Sequence, residues 1–188
     1  MKKLALFASG SGSNVENIAQ YFSSNDQVQI QCVLTNNLQA GVIERCKRLN
    51  LPLIYINPVA LATPGFLSKM LVSYSIDLIV LAGYLKKIPS DLIEAFPHKI
   101  INIHPALLPN YGGKGMYGNK VHEAVKASGD NESGITIHYV NEHYDQGAIV
   151  EQQRVPVDAM DTPESIAEKV HALEYQYFPK VIERLLDV

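Results

Sequence analysis

Residues Ile76–Ala82 read "IDLIVLA", an apolar run broken only by Asp77. A strand with one face in water alternates apolar and polar residues, whereas a strand covered on both faces reads as a near-continuous apolar run. The segment therefore predicts a strand buried from both sides, as in a parallel sheet with helices on each face. The flanking sequence has the matching rhythm. Upstream, Lys3–Ala8 is an apolar strand, and Asn14–Phe22 is a helix with Val15, Ile18 and Phe22 on one face. Val28–Leu34 is a strand, Ala40–Leu49 a helix ending at Asn50-Leu51-Pro52, Leu53–Ile56 a short strand, and Pro64–Tyr74 a helix. Downstream, Pro89–Phe96 is a helix with proline in its first turn, and Lys99–Ile103 is a strand. This βαβα order predicts a single-domain α/β fold with a mostly parallel, Rossmann-like sheet and helices on both faces.

After Ile103 the pattern changes. Ile135–Val140 and Ala148–Val157 are two strands separated by the polar turn Asn141–Gly147, which predicts an antiparallel C-terminal extension. Pro163–Leu186 is one long helix with Asp161-Thr162 as its cap. No repeat or linker divides the chain, so one domain over 1–188 is the expectation.

The bulk properties narrow the function classes. The chain has 188 residues, 47% apolar and 19% charged, the composition of an ordinary globular protein. A net charge of −3 argues against a strongly electrostatic nucleic-acid or membrane surface. Lys2-Lys3 and Leu4–Ala8 resemble the start of a signal peptide, but the apolar core is too short for one. No run approaches the roughly 18 apolar residues that span a bilayer. Cys32 and Cys46 lack metal-ligand spacing and read as two reduced thiols, which predicts a soluble cytoplasmic protein.

Two polar features fall at predicted strand ends, where open parallel sheets bind ligands. The first is "ASGSGSN" (Ala8–Asn14), a glycine-rich turn leading into a helix whose free N–H groups attract an anion. Gly10 and Gly12 match the start of a dinucleotide fingerprint, but Val15 stands at the third glycine position and no Walker-type lysine follows. Thr35-Asn36-Asn37 stands where a ribose-binding acid would be expected. A small phosphorylated ligand therefore fits better than NAD or ATP. A plain flexible turn with a good cap is the competing reading.

The second feature is "INIHP" (Ile101–Pro105). Asn102 and His104 alternate on a strand, so both side chains emerge on one face, and Pro105 ends the strand. Such a pair can donate two hydrogen bonds to a developing oxyanion. Alternatively, Asn102 caps a turn and His104 is a satisfied buried histidine. Asp145, in "NEHYDQGAIV", is a candidate carboxylate partner, although Gly147 two residues later also suits an ordinary turn. The six histidines form no H-x-H or H-x-x-x-H pair, so no metal site is expected, and no covalent nucleophile stands out.

Four segments in order, "FASGSGSN", "DLIVLAGYLKKIP", "IINIHPALLPNYGG" and "GITIHYVNEHYDQGAIV", resemble the folate-dependent glycinamide ribonucleotide transformylase family over essentially the whole chain. The resemblance implies formyl transfer from 10-formyltetrahydrofolate, without a metal, to the amine of glycinamide ribonucleotide in purine synthesis. It implies catalytic roles for Asn102 and protonated His104 at the oxyanion and for Asp145 in orienting His104 and relaying protons. It also implies ribonucleotide contacts from Gly12, Ser13, Asn14 and Glu174, with Lys169 or His171 at the phosphate. Tyr84, Leu85, Lys86, Lys87, Ile88 and Asn102 match the folate-contacting positions, while Thr136 and His138 flank the site. The implied partners are small molecules only, in a monomer or homodimer, with 1–100 as the phosphoribosyl-binding half and 101–188 as the catalytic and folate-binding half.

Three departures from the family pattern stand out. "YGGKGMYGNKVHEAV" (Tyr111–Val125) replaces a shorter loop and reads as a glycine-rich cover or a plain flexible loop. "YDQGA" replaces L-D-G-G-P, and the end at Val188 is expected to remove a terminal strand. Rivals are a formyltetrahydrofolate hydrolase, expected to carry an extra N-terminal domain, and a methionyl-tRNA formyltransferase, expected to carry a C-terminal RNA-binding domain. A non-catalytic phosphometabolite-binding module is the rival from a different class.

Overall fold

The computed structural model describes residues 1–188. It contains the strands β1 (Lys2–Phe7), β2 (Val28–Thr35), β3 (Leu53–Tyr55), β4 (Leu78–Leu81), β5 (Ile100–His104), β6 (Glu132–Tyr139) and β7 (Ile149–Pro156). The helices are α1 (Ser13–Tyr21), α2 (Val42–Leu49), α3 (Pro58–Ala62), α4 (Phe66–Ser73), α5 (Ser90–Ala95), α6 (Asn119–Ser128) and α7 (Pro163–Leu186). The seven strands form one sheet in the order β3-β2-β1-β4-β5-β6-β7. The chain falls into two compact units, Met1–Ile101 with Ile182–Val188, and Asn102–Val181.

In the first unit β1 pairs in parallel with β2 and β4, and β2 in parallel with β3, as the βαβ rhythm predicts. Every side chain of β4 is buried, and Leu4–Ala8 are fully buried along and just beyond β1. The one polar residue in "IDLIVLA" has a specific task. Asp77 accepts the Lys3 N–H through Oδ2 at 2.8 Å, and its own N–H donates to the Lys3 carbonyl at 2.9 Å. The carboxylate thus fixes where β4 starts beside β1. In the second unit β6 and β7 are antiparallel, with Glu132 opposite Pro156 and a register shift at Ile137/His138.

Three helices depart from the sequence expectation. Asn57 caps α3 by accepting the Ala60 N–H at 2.8 Å, in a stretch for which no element was expected. Half of the segment expected to be a loop, Tyr111–Val125, is helical, because α6 buries Val121, His122 and Val125 and ends on the left-handed Gly129. Pro89 is the N-cap of α5, one position earlier than the first-turn role expected. At α7, Thr162 Oγ1 accepts the Ser165 N–H at 3.3 Å, so the expected cap forms.

Candidate functional site

In the first unit, β1 hands over to α1 through the glycine-rich turn. Gly12 is the N-cap of α1 at φ +77° and makes no side-chain cap hydrogen bond, so the competing reading's good cap is a bare glycine. A Cβ at Gly12 would lie 2.5 Å from Val42 Cγ2 and 2.7 Å from Val42 Cα, so the turn packs directly on the start of α2. The left-handed backbone and the close approach both demand glycine. Gly12→Ala is expected to cost roughly 2 kcal/mol or more, read as a lower urea midpoint at unchanged slope.

Asn36 and Asn37, found where a ribose-binding acid was sought, hold this turn in place. Asn36 Oδ1 accepts from Ser9 Oγ at 2.6 Å, and Asn37 Nδ2 donates to the Ser9 carbonyl at 3.3 Å. Ser9 Oγ also accepts the Leu85 N–H at 3.0 Å, and the Ser9 N–H donates to the Gly83 carbonyl at 3.0 Å. The glycine turn and the segment Tyr84–Ile88 are thereby one hydrogen-bonded piece. Within that segment Tyr84 and Ile88 turn into the core, while Leu85, Lys86 and Lys87 are exposed. Tyr84 meets Phe7 edge-on at 5.2 Å between ring centres, and burial pushes its phenol up to about 12.

In the second unit Asn102, His104 and Asp145 converge, joined by His138 from β6. His104 is 3% exposed. Its Nε2–H donates to the Tyr111 carbonyl at 2.7 Å, and its Nδ1 lies 3.7 Å from Asp145 Oδ2. The Asn102 amide faces His138 Nε2 at 3.1 Å and donates to Asp145 Oδ1 at 3.4 Å. His138 Nδ1 is 2.9 Å from the Tyr139 carbonyl, which can only accept, so Nδ1 carries a proton. Asp145 sits in its turn at φ +56°, and Gly147 follows because any Cβ there would overlap the Tyr139 carbonyl. The Asp-x-Gly spacing therefore serves turn geometry and side-chain aim together.

The charges are coupled. Burial lowers the His104 pKa below its ordinary value, against the opposing pull of Asp145 and the Tyr111 carbonyl. For Asp145, burial alone would push the carboxyl up, but His138, His104 and the Gly113 N–H outweigh it and hold it below the ordinary range. The result is a carboxylate beside an imidazole that burial keeps from protonating easily.

Glu174 is 4% exposed on α7, in register with Ile166, Val170, Phe178, Ile182 and Leu186, all buried at four-residue intervals. A carboxylate within a buried apolar stripe is costly without partners. His171, one turn earlier, contacts Glu174 Oε2 through Nδ1 at 3.1 Å, and this contact raises the imidazole pKa. Lys169 is placed otherwise. Its ammonium donates to Asp161 Oδ2 at 2.5 Å, Asp158 Oδ2 at 3.0 Å and the Pro156 carbonyl at 3.2 Å. Two carboxylates hold that ammonium, whereas His171 faces one, Glu174.

Sequence reasoning gave too little weight to two residues near Asn102. Thr136 and His138 alternate on β6 and so share a face. Thr136 Oγ1 donates to the Ala106 carbonyl at 2.7 Å and accepts the Leu108 N–H at 3.0 Å, which fixes the loop that leaves β5. His122 was weighed only as one of six histidines without metal-ligand spacing. It is 2% exposed on α6, its Nδ1 has no partner, and burial lowers its pKa. No three or more His, Cys, Asp or Glu side chains converge as a bound metal ion would require. No helix is long and apolar enough to cross a membrane.

A sheet of this topology with an Asn, His and Asp cluster defines a class. Residues 2–182 match the formyl transferase family model, and the chain belongs to that family. It is 43% identical to the chloroplastic phosphoribosylglycinamide formyltransferase of Arabidopsis thaliana, over 96% of this chain and 64% of that protein. It is 36% identical to the phosphoribosylglycinamide formyltransferase of Bacillus subtilis, over 99% of this chain and 95% of that one. The crystal structure of the Streptococcus pneumoniae phosphoribosylglycinamide formyltransferase superposes with a TM-score of 0.86 at 34% identity, covering 99% of both chains. The chain spans just under two thirds of its plant relatives, 64% of the Arabidopsis protein and 61% of its Vigna unguiculata counterpart.

Proposed function

We propose that the chain transfers the formyl group of 10-formyltetrahydrofolate to the amine of N1-(5-phospho-D-ribosyl)glycinamide, giving the N2-formyl product and tetrahydrofolate in de novo purine biosynthesis. The observation that carries this reading is the contact set of Asn102, His104 and Asp145 in a formyl transferase family chain.

In the proposed reaction the amine lone pair attacks the formyl carbon. A C–N bond forms and the carbonyl π pair moves onto oxygen. Asn102 donates to that oxyanion and His104 stabilises it as an imidazolium, and groups already aimed at developing charge act strongly where water is scarce. The Asn102 donor free to turn is the one held by the longer contact, 3.4 Å to Asp145. The growing negative charge opposes the burial that lowers the His104 pKa, so the imidazole takes up a proton from solvent as the intermediate forms and returns it on collapse. On collapse the pair returns from oxygen and the bond to N10 breaks. The proton lost by the amine reaches N10 through water under the control of Asp145.

For binding, the reading assigns the phosphate to backbone N–H groups of Gly12, Ser13 and Asn14 at the α1 N-terminus. Glu174 takes a ribose hydroxyl, and His171 adds positive charge beside it. Leu85, Lys86 and Lys87 meet the folate, the lysines at its glutamate carboxylates, with only backbone left to contribute at Tyr84 and Ile88. This folate segment lies before Ile101, in the half expected to bind the phosphoribosyl group. We place the activity in the cytoplasm on the two buried free thiols.

A direct assay tests the reading. Incubation with both substrates should yield the N-formyl ribonucleotide and tetrahydrofolate in equal amounts, with little formate. No turnover with that amine, or formate release with water as the only acceptor, would overturn it.

A further inference from the structure

The turn Tyr111–Gly113 opens the segment where this chain departs from the family pattern, and it touches both members of the catalytic pair. The Tyr111 carbonyl accepts His104 Nε2–H at 2.7 Å, and the Gly113 N–H donates to Asp145 Oδ2 at 2.9 Å. His104 Nδ1 lies 3.7 Å from that same oxygen. One three-residue turn therefore closes a ring through the imidazole and the carboxylate. Gly112 between them leaves no slack, since a Cβ there would lie 2.6 Å from Leu108 Cδ2 and 3.3 Å from Asp145 Cβ. The turn is also held from outside the ring, because the Tyr111 hydroxyl lies 2.6 Å from Asp130 Oδ2 and from Ser128 Oγ.

We propose that this turn is a positioning element for the reaction, with the Gly113 amide setting the aim and charge of Asp145. Tyr111 at φ +56° and Gly113 at φ +99° both adopt left-handed backbone. That conformation presents a carbonyl to the imidazole and an N–H to the carboxylate from neighbouring peptide units. A backbone N–H favours the ionised carboxyl over the neutral one. The other groups facing Asp145 are His104 on β5, His138 on β6 and the Asn102 amide. The glycine-rich segment is thus part of the catalytic geometry and more than a cover.

This inference rests on the reading of His104 and Asp145 as the catalytic pair, and its test begins without substrate. In protein carrying carboxyl-13C aspartate, the Asp145 titration is followed by NMR for wild type, Gly113→Ala, Gly112→Ala and Gly65→Ala. Gly113→Ala strains the turn at its left-handed residue, whereas Gly112→Ala pushes it off Asp145 by contact. Gly65→Ala, at φ +74° with only the flexible Lys69 side chain near its added Cβ, places comparable strain at the start of α4. In both turn variants Asp145 should titrate at higher pH than in wild type, and kcat should fall on the order of tenfold to a hundredfold. Gly65→Ala should leave both unchanged. If Gly113→Ala does not fold, Gly112→Ala decides. An Asp145 titration unchanged in the turn variants, or shifted equally in Gly65→Ala, would overturn the proposal. Because the titration is read on protein alone, its outcome is separate from whether wild type transfers formyl.

Discussion

His104→Ala is expected to lower kcat by about three orders of magnitude while the dissociation constant for the ribonucleotide changes only a few-fold. The size follows from what the imidazole alone supplies. It is a buried imidazole 3.7 Å from Asp145 Oδ2, and alanine offers neither a charge beside the oxyanion nor a partner to the carboxylate. The proposed binding groups at Gly12–Asn14 and Glu174 are not altered, so binding and chemistry should separate. Two local costs accompany the change: the Tyr111 carbonyl loses its donor, and a cavity opens where a 3%-exposed ring stood. Turnover by stopped assay, ribonucleotide binding by calorimetry and unfolding by urea distinguish these effects. A folded His104→Ala protein with kcat within tenfold of wild type would remove His104 from the mechanism. The pH sense is also fixed. Burial depresses the folded-state pKa, so the unfolded chain binds the proton more readily. The stability tied to a neutral His104 is present above the ordinary histidine pKa near 6.5 and is lost as pH falls below it. His104→Ala should flatten that part of the stability curve, leaving the share of His122, which burial shifts the same way.

The parallel half of the fold was legible because its central strands β1 and β4 are buried and its helices carry ordinary periodicity. The element order of the first unit follows from hydrophobic pattern, with Asp77 as a polar pin at the start of β4. The helix α6 was hidden by four glycines just upstream of it, at Gly112, Gly113, Gly115 and Gly118, which drew the reading toward a loop. Val121 and Val125 at helical spacing, with Gly129 as a C-terminal stop, carried the signal. The candidate site was legible in parts. Strand alternation put Asn102 and His104 on one face, but no local pattern ties them to a turn residue beyond α6. Asp145 consequently read as a turn former, which it is, and only the fold shows that its carboxylate also meets His104. Glu174 entered by resemblance, yet its place in the four-residue apolar stripe of α7 marks it on physical grounds. The role of Asn36 and Asn37 in holding Ser9 depends on a long-range contact that sequence spacing does not encode.

Asp145→Asn should lower kcat by two to four orders of magnitude, with ribonucleotide binding again nearly intact. The substitution keeps size and shape, so the loss arises from charge and hydrogen-bond direction. Asp145 uses both oxygens as acceptors, Oδ1 from the Asn102 amide and Oδ2 from the Gly113 N–H. An asparagine at 145 supplies one acceptor and one donor, so whichever way it turns, an N–H group meets another N–H group. Either Asn102 loses the contact that orients it or the Tyr111–Gly113 turn loses its anchor. The charge matters separately. Asp145 raises the His104 pKa against burial, so its removal leaves burial less opposed and shifts the imidazole further toward the neutral form. Residual activity should therefore decline at a lower pH on the alkaline side than in wild type. Stability responds with the opposite sign to that of His104. The Asp145 pKa is depressed in the folded protein, so its contribution is present above the ordinary aspartate value and is lost as pH falls through the folded-state value. Asp145→Asn should thus weaken the protein at neutral pH and narrow the difference from wild type in acid. A kcat–pH profile and urea midpoints at neutral and acid pH read these effects together. Full turnover in Asp145→Asn, or a difference in stability that grows toward acid, would show that the carboxylate serves neither the chemistry nor the charge balance assigned to it.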